Sequence, residues 1–184
     1  MSTRMPEDFY SDGDDKPFLN CKVCERELNG SGVPYTIEKA YKRTQEGEDV
    51  TLFEVAICIP CAEKQAQKMS KESRRYLASV MGNQDFFEKR QGLWENWEEN
   101  WKSKCIFSDS EVKQNDEYHI VGHFQDGELL PQQAPFLIGQ EMIEEIQENL
   151  SPETKEEMDR FGDQFLGPDP TIKALMEDSQ FVLV

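Results

Sequence analysis

The sequence is short of the features that assign a chemistry at sight. Only two histidines occur, His119 and His123, both in the second half. Neither a Walker pattern nor G-x-G-x-x-G is present, so no phosphate-cradling glycine loop is indicated. No stretch approaches the roughly 20 apolar residues that a membrane helix needs. The N-terminus, MSTRMPEDFYSDGDDKP, lacks the apolar core of a secretory signal. Basic residues are scarce too: 20 Lys and Arg stand against 37 Asp and Glu, a formal net charge of −17 over 184 residues. Such a chain repels phosphate backbones, and no local basic patch offsets this, which argues against direct nucleic-acid binding. The acid excess reads as a solvated surface or, more sharply, as a docking surface for a basic protein.

Against these absences stand five cysteines, four of them in two C-x-x-C pairs: Cys21 with Cys24, and Cys58 with Cys61. A tight turn lets each pair aim two thiolates at one ion. Zinc suits the set because it is redox-silent and accepts four sulfur ligands; iron fits the same cage. Four cysteines close the coordination shell, whereas a catalytic zinc keeps one position open for water. The metal is therefore expected to be structural. Cysteines used this way fit a reducing compartment, and a cytoplasmic protein is expected.

Taken in order, residues 1–16 are polar and acidic and read as a disordered leader. Residues 17–81 read as a zinc-binding lobe. The Cys21–Cys24 knuckle leads to a strand from Tyr35 to Tyr41, a turn at Gln45–Glu48 and a returning strand from Val50 to Ile57. The hairpin delivers Cys58 and Cys61 to a helix that starts near Ala62, where the helix dipole and free N–H groups stabilise thiolate charge. Ser70 is placed to cap a further helix, Lys71–Met81, which Gly82-Asn83 ends. Knuckle, hairpin and ligand-bearing helix resemble a treble-clef zinc finger over residues 18–69, and small bacterial proteins with one such module. The resemblance implies a fold and no activity. Treble clefs also occur in HNH-type nucleases, but those need histidines beside the metal and an electropositive groove, both missing here.

Residues 82–104 read as a linker helix from about Asp85 to Lys102. Trp94, Trp97 and Trp101 fall on one stripe, to be spent either on core packing or as an aromatic docking face. From Cys105 the chain restarts. Cys105-Ile106-Phe107-Ser108 mirrors the first knuckle, Tyr118-His119-Ile120 mirrors Tyr35-Thr36-Ile37, and Gln125-Asp126-Gly127-Glu128 mirrors the first turn. Phe136-Leu137-Ile138 mirrors Val55-Ala56-Ile57, and Ser151 mirrors Ser70 as a helix cap. Gly139 and Met142 stand where Cys58 and Cys61 stand, so residues 105–166 read as a degenerate, metal-free copy. Apolar residues must replace its metal, and Met142, Ile143, Ile146 and Leu150 supply a fuller stripe. Residues 167–184 read as a C-terminal tail ending in Phe-Val-Leu-Val.

The expected fold is α+β, with two related hairpin-plus-helix lobes, treble-clef-like, the first zinc-bound and the second metal-free, joined by an amphipathic helix. The expected function is a non-enzymatic zinc protein acting as an adaptor through protein contacts. A nucleic-acid-associated regulator is the alternative. A hydrolase using His119 and His123, which share a strand face at i, i+4, is a third; Cys105 could join them in a second metal site, although a partly exposed pair on a hairpin is the simpler reading.

Overall fold

The computed structural model describes residues 3–166; the C-terminal tail read from the sequence lies outside them. The chain order is β1 (Tyr35–Arg43), β2 (Asp49–Cys58), α1 (Ile59–Lys68), α2 (Lys71–Met81), α3 (Gln84–Trp94), α4 (Trp97–Asn100), β3 (Glu117–Gln125), β4 (Glu128–Leu129), β5 (Phe136–Gly139), α5 (Gln140–Asn149) and α6 (Pro152–Phe161). It is a mixed α+β fold on one antiparallel sheet, ordered β2-β1-β3-β4, with β5 also on β3. No helix among the described residues is long and apolar enough to cross a membrane.

The predicted hairpin forms, with Tyr35 opposite Cys58 and Arg43 opposite Asp49. In the second half Tyr118 sits opposite Gly139, as Tyr35 does opposite Cys58. Asp126 and Gly127 both take positive φ, 50° and 80°, the geometry of a two-residue turn that joins Gln125 to its partner Glu128. The halves are not separate lobes on a linker, however. β1 pairs along its length with β3, from Tyr35 opposite Phe124 to Lys42 opposite Glu117, so one sheet runs through both. Each hairpin would otherwise leave an open edge of unpaired N–H and C=O groups, and joining them removes two edges at once.

The knuckles of the two halves share their hydrogen bonds. Cys21 N–H donates to Arg26 O at 2.8 Å and Glu25 N–H to Cys21 O at 2.9 Å; Cys105 N–H donates to Ser110 O and Asp109 N–H to Cys105 O, both at 2.9 Å. Lys22 N–H meets Ala56 O and Ile106 N–H meets Leu137 O, again both at 2.9 Å. Glu25 and Asp109 each take φ 58° to close the turn. The helices differ in what they bury. α1 buries Cys61 alone, whereas α5 buries Met142, Ile143 and Ile146.

Two expectations are corrected. Residues 3–16 are not a loose leader. Phe9 is fully buried, stacked on Trp101 with centroids 5.2 Å apart and edge-on to Phe124 at 5.1 Å. Gly122 makes the room, since a Cβ there would lie 2.6 Å from the Phe124 ring and 3.0 Å from that of Phe9. The leader also supplies a counter-ion. Lys39 is 1% exposed, and its ammonium is met by the Asp12 carboxylate, by Glu54 at 3.3 Å and by Tyr10 O at 2.7 Å. A buried ammonium without such partners costs several kcal/mol, on the order of the net stability of a small domain. The linker, in turn, is two helices. α3 ends at Trp94 and α4 starts at Trp97, with Asn96 at φ −138° and ψ 34°, outside the helical region.

Candidate metal centre

The four paired cysteines converge. Cys21 and Cys24 come from the knuckle, Cys58 is the N-cap of α1, and Cys61 lies in the first turn, next to Pro60. Their Sγ atoms all lie within 4.8 Å of one another. Tetrahedral zinc with Zn–S near 2.3 Å needs sulfurs about 3.8 Å apart, and Cys24 Sγ and Cys58 Sγ stand 3.8 Å apart. The residues therefore fit a four-sulfur metal site of the size that zinc takes. Among the described residues they are the one group of three or more cysteine, histidine or acidic side chains close enough to share an ion.

Local chemistry builds the site. The positive φ of Glu25 turns the chain back after Cys24, and Asn20 Nδ2 donates to Glu25 O at 2.9 Å to hold the turn. Cys58 N–H, one of the free donors at the start of α1, points at Cys21 Sγ from 3.4 Å. The four thiols are not equivalent. The Arg26 backbone N–H bonded to Cys24 lowers its pKa to about 7, against some desolvation. Burial pushes Cys58 and Cys61 up instead. Without an ion Cys58 and Cys61 keep their protons; a divalent cation offsets the cost of ionising thiols, so binding releases protons. Cys24 is exposed while Cys21, Cys58 and Cys61 are buried.

The remaining sequence candidates separate. Trp97 and Trp101 are 5% and 3% exposed, so they belong to the core and form no docking face; Trp94 is half-buried. His119 is fully buried rather than partly exposed. Its Nδ1 lies 2.8 Å from Glu38 Oε1 and its Nε2 3.2 Å from Glu117 Oε1. Burial alone would lower its pKa, but the bonds to Glu117 and Glu38 outweigh it and hold the value at about 9, so the ring is an imidazolium. His123 is the opposite case: burial and then the Arg90 guanidinium lower it to about 3. Its Nδ1 accepts from Arg90 Nη2 at 2.7 Å, which places the ring proton on Nε2. Cys105 packs at Gly139, where a Cβ would lie 3.3 Å from its own. The trio Cys105, His119 and His123 is thus not assembled as a second metal site, and the two histidines do different work although they share a strand face.

Sequence reasoning missed the Glu38–His119–Glu117 cluster and the Lys39 site. Both sit on strands that the sequence marked only by their strand-forming residues. The available signal was the presence of Glu38, Lys39, Glu117 and His119 inside strands otherwise rich in β-branched and aromatic residues.

No protein-family model, curated protein or solved structure matches this chain. The class that fold and site define is an α+β protein with a four-cysteine cluster suited to structural zinc.

Proposed function

We propose that this chain is a non-enzymatic structural-zinc protein that acts as an adaptor by binding a basic protein. In this reading residues 17–81 are a treble-clef-like lobe and residues 105–166 a metal-free copy of it. The observation that carries the reading is the closed cage of four sulfurs, which leaves no coordination position for a substrate. The knuckle hydrogen bonds repeated at Cys105 support the copy, as does the gain of Met142, Ile143 and Ile146 where α1 has one buried residue. The adaptor role draws on the charge of −17 and on the outer face of α5, where Glu141, Glu144, Glu145 and Glu148 are all exposed. A basic partner would be steered to such a face.

Metal analysis of the purified protein tests the first part, with about one zinc per chain expected for a single four-cysteine site. Affinity capture from the native host tests the second. A basic protein should be retained, released by salt, and lost when Glu141, Glu144 and Glu148 are changed to lysine. Salt-sensitive retention of the unaltered protein on DNA or RNA would favour the nucleic-acid regulator instead.

A further inference from the structure

We propose that Cys24 is an oxidant-sensing modification site, and that its oxidation by a peroxide, resolved by Cys58, opens the metal centre. The inference rests on reading the four cysteines as a zinc site and adds a chemistry to it. A purely structural centre gains from hiding all its sulfurs. Here three are hidden, Cys21, Cys58 and Cys61 at 1%, 0% and 5% exposure, and Cys24 is open to solvent. The opening is more than a surface grazing. Among the described residues an open cleft of about 720 Å³ lies against the knuckle, lined by Cys21, Lys22, Cys24 and Glu25 and by Phe165 and Leu166, and of its two cysteines Cys24 is the exposed one. A small oxidant can reach Cys24 from that side.

The partner for the second step is already in place. Cys58 Sγ stands 3.8 Å from Cys24 Sγ, so forming an S–S bond of about 2 Å needs a shift of under about 2 Å. The knuckle can supply it, because Cys24 sits in a surface turn held by backbone bonds to its flanks, whereas Cys58 is anchored as the last residue of β2. The steps balance. The Cys24 thiolate attacks one peroxide oxygen, the O–O bond breaks, and a sulfenic acid and one water form with uptake of one proton from solvent. The Cys58 thiolate then attacks the Cys24 sulfur, an S–S bond forms, the S–O bond breaks and, with a second proton taken from solvent, a second water leaves. Two thiolates lose two electrons in all, and the peroxide gains them. Cys21 and Cys61 would then be the two sulfurs left to hold an ion, too few for a closed four-sulfur site. Cys105 is fully buried against Gly139 and takes no part.

The test uses the full chain, with metal content measured first. Zinc-loaded protein is exposed to hydrogen peroxide while zinc release is followed with a chromophoric chelator, and samples are mapped by mass spectrometry with and without a sulfenic-acid trap. The expected result is trapping at Cys24 at least about tenfold faster than at Cys21, Cys61 or Cys105, then a Cys24–Cys58 disulfide formed in step with zinc release and reversed by thiol reductant. Cys105→Ser should leave both rates unchanged. First oxidation at another cysteine, or zinc release without the Cys24–Cys58 bond, overturns the proposal. Absence of bound zinc at the outset instead overturns the reading of the metal centre, and the order of thiol modification is still read in that sample.

Discussion

Ser70 and Ser151, 81 positions apart in sequence, hydrogen-bond to each other through their hydroxyls at 2.9 Å. Each caps its own helix: Ser70 Oγ accepts from Ser73 N–H at 3.1 Å, and Ser151 Oγ from Thr154 N–H at 3.3 Å. The exchange is reciprocal. Ser70 N–H donates to Thr154 Oγ1 at 3.0 Å, and Ser151 N–H donates to Ser73 Oγ at 2.9 Å. The starts of α2 and α6 are therefore tied by matching bonds from each half, as β1 and β3 are tied by their antiparallel ladder.

That lattice predicts coupled caps. Ser70→Ala and Ser151→Ala should each cost about 1–2 kcal/mol, the ordinary loss of a cap plus a shared hydrogen bond. Because the hydroxyls bond each other, the double variant should cost less than the sum. Urea denaturation of the four proteins in the cycle measures this, and strict additivity would mean that the Ser70–Ser151 bond contributes nothing.

How far these features could be read beforehand differs by element. The caps at Ser70 and Ser151, the first hairpin and the four cysteines are local: residue type and spacing within a few turns specify them. The β1–β3 pairing joins residues some 80 positions apart, and nothing in either hairpin says which edge it will offer. Phe9 escaped notice for a related reason. A single aromatic in an acidic stretch has no periodicity, and its pocket is made by Gly122, Phe124 and Trp101, all far along the chain. Trp101 was legible as part of an apolar stripe, but its stacking partner Phe9 lies more than 90 positions earlier in the chain.

The leader should accordingly matter to stability. Phe9→Ala removes a fully buried ring and should destabilise by about 3–5 kcal/mol. Lys39 gives an independent reading of the same contact. Asp12→Asn leaves its buried ammonium one carboxylate short and should also destabilise, by about 1–3 kcal/mol. Thermal melts that place both variants at the parent's midpoint would show that residues 3–16 add nothing to the fold.

Removing the metal should unfold the first half before the second. Structural zinc carries much of the folding energy of a small site, and α1 buries little beyond Cys61. Cys58→Ser, or a strong chelator, should abolish tight zinc binding and speed amide exchange in residues 35–68. Exchange over α5, which is held by Met142, Ile143 and Ile146, should change far less. Equal acceleration in both regions would show the sheet to be one cooperative unit that depends on the ion.

His119 should make stability fall as pH rises above neutrality. Its folded pKa is raised to about 9 by Glu117 and Glu38 against an unfolded value near 6.5, so the folded state holds the proton over that interval. The stabilisation is fully present below about pH 6.5 and is lost as pH rises towards 9, with a slope of up to about 1.4 kcal/mol per pH unit. His119→Gln should flatten that part of the profile. Denaturation at fixed zinc activity from pH 6.5 to 9 checks it, and identical slopes in the two proteins would remove the imidazolium from the account.

The sharpest consequence of treating the second half as a metal-free copy is that its site can be rebuilt. Cys105 already occupies the place of Cys21, and its knuckle keeps the same backbone bonds and the same φ of 58° at the closing residue. Gly139 is the N-cap of α5 at φ −83° and ψ 166°, close to the −67° and 147° of Cys58 at the start of α1, so a side chain there meets no backbone strain. Met142 lies in the first helical turn, as Cys61 does. The triple variant Ser108→Cys, Gly139→Cys, Met142→Cys should therefore bind two zinc ions per chain where the parent binds one. Crowding between a new Cβ at 139 and Cys105, 3.3 Å apart, is relieved by a small shift of the knuckle. Exchange of Met142 for cysteine costs about 2–3 kcal/mol of apolar burial in the metal-free state, so the variant should be less stable than the parent without zinc and recover with it. A folded triple variant that still binds a single ion would show that the shared knuckle backbone does not define a site for metal.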